Sequence, residues 1–317
     1  MDKRFEDGFS GYVAVVTGGG SGMGRELVRQ LSAAGCDVAT CDVLIANADQ
    51  TAALCRAEAN RGEVFTFAAD VSDEAAVLAF ASAVAAWRPH VNLLFNNAGI
   101  GGGGTIVHGD REQWEKVFNV CWYGVYYNTR AFLPQMLRAA VGHVINTSSV
   151  NGFFASIGPG MPHSAYSAAK FAVKGFTEAL MVDFAQNAPH LRASVVMPGH
   201  IGTEIAHNSD LLLGLTDIDR MRARYAGAGR DASALSDEDI RARMRRRGEA
   251  FRDSAPTSAA QAATIILDAV RAGQWRILVG QDAELLDEQV RADPNNAYSA
   301  AFYRRWLADA AAARPAH

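Results

Sequence analysis

One segment near the N-terminus constrains the fold more than any other part of this 317-residue chain. It reads Tyr12-Val-Ala-Val-Val-Thr17, then Gly18-Gly-Gly-Ser-Gly-Met-Gly24, then an amphipathic run that stops at Gly35. The first run is apolar and β-branched, which is typical of a buried parallel strand, and the last is typical of a helix with a glycine stop. Glycines between a strand and a helix allow a tight turn and let backbone N–H groups approach a pyrophosphate. The segment therefore predicts a strand–loop–helix unit that binds a dinucleotide.

Asp42 predicts which dinucleotide binds. It ends the next predicted strand, 18 residues after Gly24, close to the offset of an acidic residue that hydrogen-bonds the adenosine ribose. A carboxylate there accepts from the ribose 2′-hydroxyl and repels a 2′-phosphate. Ser21 stands in the glycine loop where an arginine could have met that phosphate. We therefore expect selectivity for NAD(H) over NADP(H), although a strand-end carboxylate can also simply make a turn.

Tyr166 and Lys170 form the second informative pattern. A free tyrosine has a pKa near ~10, and a lysine one helical turn away on the same face favours the phenolate. The pair therefore predicts a phenol with a lowered pKa that exchanges a proton with an alcohol or ketone. Ser149, a short loop upstream, could hold the substrate oxygen, and Ser148 is the alternative. Without further support, a Tyr-x-x-x-Lys pair is equally typical of a solvated helix face.

Six segments occur together in an order that resembles the short-chain dehydrogenase/reductase family, in its dehydrogenase-type branch. The resemblance covers about residues 10–204 and 258–280. The segments are Thr17-Gly-Gly-Gly-Ser-Gly-Met-Gly24, Asp70-Val71, Asn96-Asn-Ala-Gly99, Asn119, Ser149 with Tyr166 and Lys170, and Pro198-Gly199 followed by Thr203.

This resemblance implies a catalytic set of Asn119, Ser149, Tyr166 and Lys170. Tyr166 would be the acid/base, Ser149 would orient the carbonyl, and Asn119 would hold a water that links Lys170 to solvent. Lys170 would also bind the nicotinamide ribose. The implied cofactor-binding set is Thr17, Gly18, Ser21, Gly22, Met23, Gly24, Asp42, Asp70, Val71, Asn97, Ala98, Gly99, Tyr166, Lys170, Pro198, Gly199, Ile201 and Thr203.

The whole chain alternates predicted strands and helices, which indicates an α/β fold. We expect a Rossmann-type, doubly wound parallel sheet of about seven strands with helices on both faces, in a single domain over 1–317. Residues 204–258 are expected to form an enlarged substrate lid, and 281–317 a C-terminal extension. Strands are predicted near 12–17, 37–41, 64–68, 91–95, 143–147, 193–197 and 276–280, and helices near 22–34, 46–60, 73–87, 111–139, 164–187 and 259–272.

Composition argues against several other classes. The net charge of −4 does not favour nucleic-acid binding, and no apolar run reaches the ~18 residues of a membrane span. The four cysteines lack zinc-site spacing, so we expect no metal and no disulfide scaffold. The charged N-terminus lacks a signal-peptide core. These features predict a cytoplasmic enzyme, and the resemblance implies a homodimer or homotetramer.

Three less familiar regions bear on the substrate. The loop from Gly152 to Ser164 is rich in apolar residues, including Phe153 and Phe154, and the lid contains Leu211-Leu-Leu-Gly-Leu215. Both predict a bulky, apolar substrate. The aromatic residues of the C-terminal extension could cap another subunit, cover the active site or pack on this chain. His200 is either a structural residue or part of the cofactor and substrate mouth.

The sequence as a whole favours an NAD(H)-dependent oxidoreductase that interconverts a secondary alcohol and a ketone. One alternative is an NADP-dependent carbonyl reductase. Another, from a different class, is a non-catalytic dinucleotide-binding sensor or scaffold, although such a protein need not keep all four catalytic residue types. A third, an epimerase or dehydratase, fits the glycine-loop spacing less well.

Overall fold

The computed structural model describes residues 5–156, 158, 161–219, 221–222 and 235–312. Its centre is a seven-stranded sheet in the order β3-β2-β1-β4-β5-β6-β9, and every neighbouring pair is parallel. Two short strands, β7 and β8, pair beside it. The strands are β1 Val13–Thr17, β2 Asp37–Asp42, β3 Val64–Ala68, β4 Leu93–Asn96, β5 Gly142–Thr147, β6 Leu191–Pro198, β7 Ile201–Gly202, β8 Thr257–Ser258 and β9 Arg276–Val279.

Helices cover both faces of the sheet, which confirms the predicted doubly wound α/β fold in a single domain with a C-terminal extension. The strand order reverses between β1 and β4, and ligands in such sheets bind at that crevice, beyond the strand carboxyl ends. The helices are α1 Gly22–Ala33, α2 Ile45–Ala57, α3 Glu74–Trp87, α4 Arg111–Phe118, α5 Gly124–Met136, α6 Ser164–Asn187, α7 Ile205–Leu212, α8 Asp237–Asp253, α9 Ala259–Arg271, α10 Gln281–Ala292 and α11 Ala300–Ala312.

The core consists of one apolar layer on each side of the sheet. On one side, Val15, Leu94 and Val144 pack beneath Phe80 and Phe132 from α3 and α5. The layer on the opposite side takes its residues from β1, α1 and α9. Because helices cover both surfaces of this parallel sheet, its strands are apolar along their whole length.

The helix predicted over 111–139 is not continuous. A π-helical turn, Asn119–Tyr123, separates α4 from α5, and the Gly124 N–H donates to the Asn119 carbonyl oxygen five residues earlier. Single π-turns within helices are frequent at functional sites. Hydrophobic periodicity does not reveal such a turn, because one extra residue shifts the pattern by less than a helical face.

The segment expected to form a lid is described in part, since residues 220 and 223–234 lie outside the described ranges. It contributes α7 and α8, and Ser236 caps α8 in a capping box with Asp239. Leu213 and Leu215 are buried as expected, whereas Leu211 is 42% exposed. Within the described ranges, no helix has the length and apolar character required to cross a membrane.

Candidate active site

The glycine loop lies between β1 and α1 and packs directly against the residues after β4. Gly18 has φ +69°, in the left-handed region, and a Cβ atom there would lie 2.9 Å from Ala98 Cα. A Cβ at Gly24 would lie 2.1 Å from the Gly18 carbonyl oxygen. Only glycine fits these approaches, and they leave the backbone of the loop open at the N-terminus of α1. The loop is thus a cradle of the kind that accepts a pyrophosphate.

Thr17 connects this cradle to the segment after β4. Its hydroxyl accepts hydrogen bonds from the backbone N–H groups of Asn97 and Ala98, each at 3.0 Å. The Asn97 side-chain amide donates to the Thr17 carbonyl oxygen at 3.1 Å, while its Oδ1 is buried without a partner among the described residues. An unsatisfied buried acceptor beside an open loop is chemically suited to a ligand donor.

Asp42 lies at the carboxyl end of β2 with its carboxylate turned to the glycine loop. One oxygen accepts from the Gly20 N–H at 3.0 Å and the other from the Leu44 N–H at 2.9 Å. Burial raises the pKa of Asp42, although these backbone bonds and the charge of Arg25 oppose the rise. The carboxylate is therefore fixed in orientation at the edge of the cradle.

Arg25 was not singled out by the sequence reasoning, although it comes close to Asp42 in the folded chain. Its guanidinium donates to the Gly20 carbonyl oxygen at 2.6 Å, to Gln50 at 2.8 Å and to Thr51 at 3.2 Å. These bonds, made by Nε and Nη2, tie the guanidinium to the glycine loop and to α2.

Asp70 and Val71 follow β3 at the same edge of the sheet. One Asp70 carboxylate oxygen accepts from both the N–H and the hydroxyl of Ser72, at 2.9 and 2.7 Å. Val71 is buried against Gly124, where a Cβ would lie 2.8 Å from a Val71 methyl. Asp70 and Val71 therefore form a fixed wall at the carboxyl end of the sheet, in which Asp70 is the polar part and Val71 the apolar part.

Ser149 and Ser148 have different environments at the end of β5. The Ser148 hydroxyl donates to the Lys170 carbonyl oxygen at 2.7 Å and is buried. The Ser149 hydroxyl accepts from the Asn151 N–H at 3.1 Å and lies close enough to the Tyr166 phenol to oppose the rise of its pKa. Ser148 thus supports the backbone of α6, whereas Ser149 faces the phenol.

Tyr166 and Lys170 stand on the same face of α6, with the Lys170 ammonium nitrogen 5.3 Å from the centre of the tyrosine ring. The ammonium donates to the Thr147 carbonyl oxygen at 2.8 Å. A Cβ at Gly99 would lie 3.5 Å from this nitrogen, so the Asn97–Gly99 segment reaches the same place. The structure therefore brings Ser149, Tyr166 and Lys170 together beside the glycine cradle.

The expected direction of the tyrosine pKa is wrong for the polypeptide itself. Burial raises the pKa of Tyr166 above its ordinary value, the nearby Cys121 thiol acts the same way, and only the Ser149 hydrogen bond lowers it. Burial also lowers the pKa of Lys170. A low-dielectric site disfavours both the phenolate and the ammonium form. The effect of burial on the Tyr166 pKa is therefore larger than the effect of the lysine's charge.

Asn119 begins the π-turn that faces this cluster. Cys121, two residues on, donates from its thiol to the Ile100 carbonyl oxygen at 3.3 Å and is fully buried. The π-turn packs against α6, the helix that carries Tyr166 and Lys170. Asn119 is half-buried, with its carbonyl oxygen held by Gly124.

The loop after β6 closes the other side of the cradle. Thr203 lies over the glycine loop, where a Cβ at Gly22 would be 3.1 Å from Thr203 Cβ. Ile201 has its side chain in the core, so its backbone is the part that faces outward.

Ser21 precedes α1 in extended conformation and accepts from Asn208 of α7 at 3.1 Å. Pro198 ends β6, and Met23 packs partly buried against the core at the start of α1.

His200 has a structural environment. Its ring nitrogen Nε2 is 2.7 Å from the Phe251 carbonyl oxygen, and its ring lies 4.4 Å from the Phe251 ring. Its backbone N–H donates to Asp282 at 2.6 Å. The residue therefore joins the loop after β6 to α8 and α10.

The comparison with known proteins agrees with this geometry. Residues 12–211 match the family described as short chain dehydrogenase. SadH of Mycobacterium tuberculosis, an oxidoreductase by name, is 34% identical over 284 residues, which are 89% of this chain and 91% of SadH. The chain belongs to the short-chain dehydrogenase family. The predicted resemblance is thereby confirmed.

Two solved structures show how this short-chain dehydrogenase relates to cofactor complexes. A short-chain dehydrogenase/reductase from Burkholderia phymatum in complex with NAD has a TM-score of 0.71 and 30% identity, covering 92% of this chain and 96% of that one. A metagenomic short-chain oxidoreductase in complex with NADP has a TM-score of 0.54 and 32% identity, covering 60% and 82%. In both of these relatives, the fold that this oxidoreductase-family chain shares holds a nicotinamide dinucleotide.

One expectation about this short-chain dehydrogenase's substrate wall changes. Phe153 and Phe154 do not line the cleft, because they pack with Phe302 and Leu286 of the C-terminal extension, where Phe154 is fully buried. The aromatic residues of the extension pack on their own chain, which was one of three possibilities. In the described part of the chain, no cluster of histidine, cysteine, aspartate and glutamate could hold a metal ion.

His163 belongs to the Gly152–Ser164 loop, which was expected to shape the substrate wall, but its contact with Tyr166 was not predicted. It lies at the N-terminus of α6, and its ring stacks on the Tyr166 ring with centroids 4.7 Å apart. Burial lowers the pKa of His163 to about 4. Its Nδ1 atom is buried and has no partner within the described ranges. The three-residue spacing to Tyr166 is the only signal that could have indicated the contact.

Replacing His163 with glutamine is expected to remove a pH-dependent part of the stability. Between pH values of about 4 and 6.5, the His163 imidazole is protonated in the unfolded chain and neutral in the folded chain. The stability present above pH ~6.5 is therefore lost as the pH falls toward ~4. Partial exposure limits the loss to about 1–3 kcal/mol. Urea midpoints at neutral and mildly acidic pH measure it. His108→Gln, on an exposed loop, is the control, and equal losses in wild type and His163→Gln would contradict the expectation.

Proposed function

We propose that this chain is an NAD(H)-dependent oxidoreductase that interconverts a secondary alcohol and a ketone. The observation that carries the proposal is the cluster of Ser149, Tyr166 and Lys170 beside the glycine cradle. A hydroxyl, a phenol and an ammonium group at one carboxyl edge of a parallel sheet suit proton transfer at a carbonyl oxygen. A non-catalytic sensor or scaffold would need the cradle and not this cluster.

The residues present fit a nicotinamide dinucleotide. The glycine loop and the N-terminus of α1 would hold the pyrophosphate, Asp42 the adenosine ribose, and Asp70 with Val71 the adenine. Lys170 would hold the nicotinamide ribose, and the backbone of Ile201 with Thr203 would lie at the carboxamide. The bound cofactor supplies or accepts the hydride.

Tyr166 acts as the acid in ketone reduction. Its raised pKa keeps the phenol protonated at neutral pH, so it has a proton to give to the carbonyl oxygen. The Ser149 oxygen already accepts from the Asn151 N–H, so its own proton is available to the substrate oxygen. Lys170 stands behind the phenol and stabilises the phenolate left after the transfer. In alcohol oxidation the same groups act in reverse.

Asp42 supports NAD(H) rather than NADP(H). Its carboxylate is fixed where a 2′-hydroxyl could donate, and a 2′-phosphate would meet like charge there. Arg25 is the basic residue that favours the alternative, an NADP-dependent carbonyl reductase. Its Nε and Nη2 atoms donate to Gly20, Gln50 and Thr51, which orients the guanidinium toward its own chain and supports the first assignment.

The mouth of the cleft supports a bulky, apolar substrate. Ile106, Val107 and Met161 are exposed apolar side chains near the N-terminus of α6. The Ser164 N–H donates to the Gly104 carbonyl oxygen at 3.0 Å, which holds the Gly101–Gly104 run beside that helix.

The test is turnover of a ketone panel by purified protein, followed as loss of NADH absorbance and repeated with NADPH. The proposal expects reduction of cyclic or aryl ketones with NADH and slower reduction with NADPH. Activity confined to small charged keto acids would contradict the substrate class. NADH binding without any turnover would favour the sensor or scaffold.

We also propose a homodimer or homotetramer built through the outer faces of α5 and α6. Phe171 and Val182, on one face of α6, are 43% and 71% exposed, and Tyr123 at the start of α5 is 38% exposed. Aromatic side chains continue this surface, with the Trp122 and Phe176 rings 5.4 Å apart. Large exposed apolar surfaces commonly mark interfaces between proteins.

Val182→Glu is therefore expected to dissociate the assembly toward the 33.9 kDa chain in light scattering after size exclusion. Burying an unpaired carboxylate in an apolar interface is unfavourable. Leu78→Glu, at a residue 52% exposed on α3, is the matched control and should leave the mass unchanged. A monomeric wild type would contradict the proposed assembly.

The cytoplasm is the compartment we propose for the enzyme. All four cysteines are buried as free thiols, which is typical of proteins from a reducing compartment. Fractionation of the source cells, with the activity followed in each fraction, tests this.

A further inference from the structure

The C-terminal extension folds back onto the loop that follows the catalytic serine. Phe154 of that loop is fully buried against Phe302, with ring centroids 5.4 Å apart, and it stacks on Tyr298 at 5.0 Å. The Tyr303 hydroxyl donates to the Ser156 hydroxyl oxygen at 2.8 Å. The extension therefore holds this loop by apolar packing and by a specific hydrogen bond.

A continuous series of hydrogen bonds leads from Tyr303 to Ser149. Tyr303 bonds the side chain of Ser156, and the Ser156 carbonyl oxygen accepts from the Asn151 side-chain amide at 3.0 Å. The same amide also donates to the Phe154 carbonyl oxygen at 2.9 Å. The Asn151 backbone N–H then donates to the Ser149 hydroxyl at 3.1 Å. Asn151 is buried, so these donors have no water to replace the bonds.

This series sets the direction of the serine hydroxyl. Because the Asn151 N–H occupies a lone pair of the Ser149 oxygen, the serine proton is directed away from it, toward Tyr166 and the position of a substrate oxygen. If the loop shifts, the oxygen loses this donor and the hydroxyl can rotate. Small displacements of groups that orient a substrate can be costly for rate, because reaction requires near-attack geometry.

We propose that Tyr303 and Asn151 are positioning residues through which the C-terminal extension fixes the Ser149 hydroxyl for carbonyl binding. The inference rests on the proposed oxidoreductase function for its kinetic consequence. It assigns to residues 281–312 a part in the reaction, although none of them belongs to the catalytic cluster.

Tyr303→Phe removes one hydroxyl and keeps the ring packing. We expect kcat for ketone reduction to fall about 3- to 10-fold, as for loss of one hydrogen bond of ~1 kcal/mol, with NADH affinity unchanged. Tyr298→Phe is the matched control. Its hydroxyl accepts from the Ala155 N–H at 3.0 Å, outside the series that reaches Ser149, so it should react at the wild-type rate.

A double-mutant cycle separates positioning from a general structural effect. In a Ser149→Ala background, Tyr303→Phe should cause no further loss of kcat, because the group it positions is gone. A full second loss in that background would overturn the proposal, as would wild-type kcat in Tyr303→Phe.

Amide hydrogen exchange gives a readout that does not depend on turnover. Tyr303→Phe is expected to speed exchange of the amides of residues 151–156 several-fold, while the strands keep wild-type protection. Unchanged exchange there would overturn the positioning role even if no ketone is turned over. A protein that shows the faster exchange but reduces no ketone with NADH would instead refute the proposed function.

Discussion

Replacing Tyr166 with phenylalanine is expected to reduce ketone reduction by about 100- to 10,000-fold while NADH still binds. The substitution removes only the phenolic oxygen, which is the group that gives the proton to the carbonyl oxygen in the proposed reaction. The glycine cradle, Asp42 and Lys170 remain in place, so cofactor affinity should change little. Initial rates with a ketone and NADH, together with a fluorescence titration of NADH, measure both quantities.

Tyr127→Phe provides the control for this variant. Tyr127 is another tyrosine, on α5, and its ring stacks on Tyr123 at 5.3 Å, so the same chemical change is made outside the cluster. It should react at the wild-type rate. Turnover by Tyr166→Phe at a similar rate would remove the phenol from the mechanism and, with it, the main argument for acid/base chemistry at this site.

The raised pKa of Tyr166 also determines in which direction kcat/KM changes with pH. Reduction requires the protonated phenol, so its kcat/KM should be flat through neutral pH and decline only in alkaline solution. Oxidation of the alcohol requires the phenolate, so its kcat/KM should rise with pH over the same range. Profiles in both directions with wild-type protein test this, and an oxidation rate that falls as pH rises would contradict it.

Local sequence patterns were sufficient to predict the fold and the cofactor cradle. The strand–glycine–helix unit, the end of β2 at Asp42 and the start of α6 near Tyr166 each depend on residues close in the chain. Their positions at one sheet edge then follow from the parallel topology. Ser149, Tyr166 and Lys170 meet as the topology requires.

Features that depend on burial and distant packing could not be predicted in this way. The π-turn at Asn119 is defined by a shifted backbone bond, and the stacking of His163 depends on the path of a loop. The direction of the Tyr166 pKa was wrong because the lysine is visible in the sequence and the loss of solvent is not. The contact of Tyr303 with Ser156 joins residues that are 147 positions apart.

Replacing Asp42 with asparagine is expected to weaken NADH binding about 10- to 100-fold, as for loss of a charged hydrogen bond of about 1.5–3 kcal/mol. The substitution keeps the shape of the side chain. It removes the charge that accepts from the ribose, and its amide would meet the N–H of Gly20 or Leu44 with donor against donor. NADPH binding should instead improve, since the repulsion of the 2′-phosphate is lost. Parallel titrations with both cofactors measure this exchange of preference.

The pH dependence of the same affinity identifies the responsible group. Burial raises the pKa of Asp42, so wild-type affinity for NADH should decline as acidification protonates the carboxylate, and the asparagine variant should lack that decline. Asp49→Asn makes the same charge change on the exposed side of α2, where Asp49 accepts from Thr66 at 2.7 Å, and should alter neither affinity. If both variants weakened NADH equally, long-range charge rather than ribose binding would explain the effect. If neither did, the assignment of NAD(H) through Asp42 would fail.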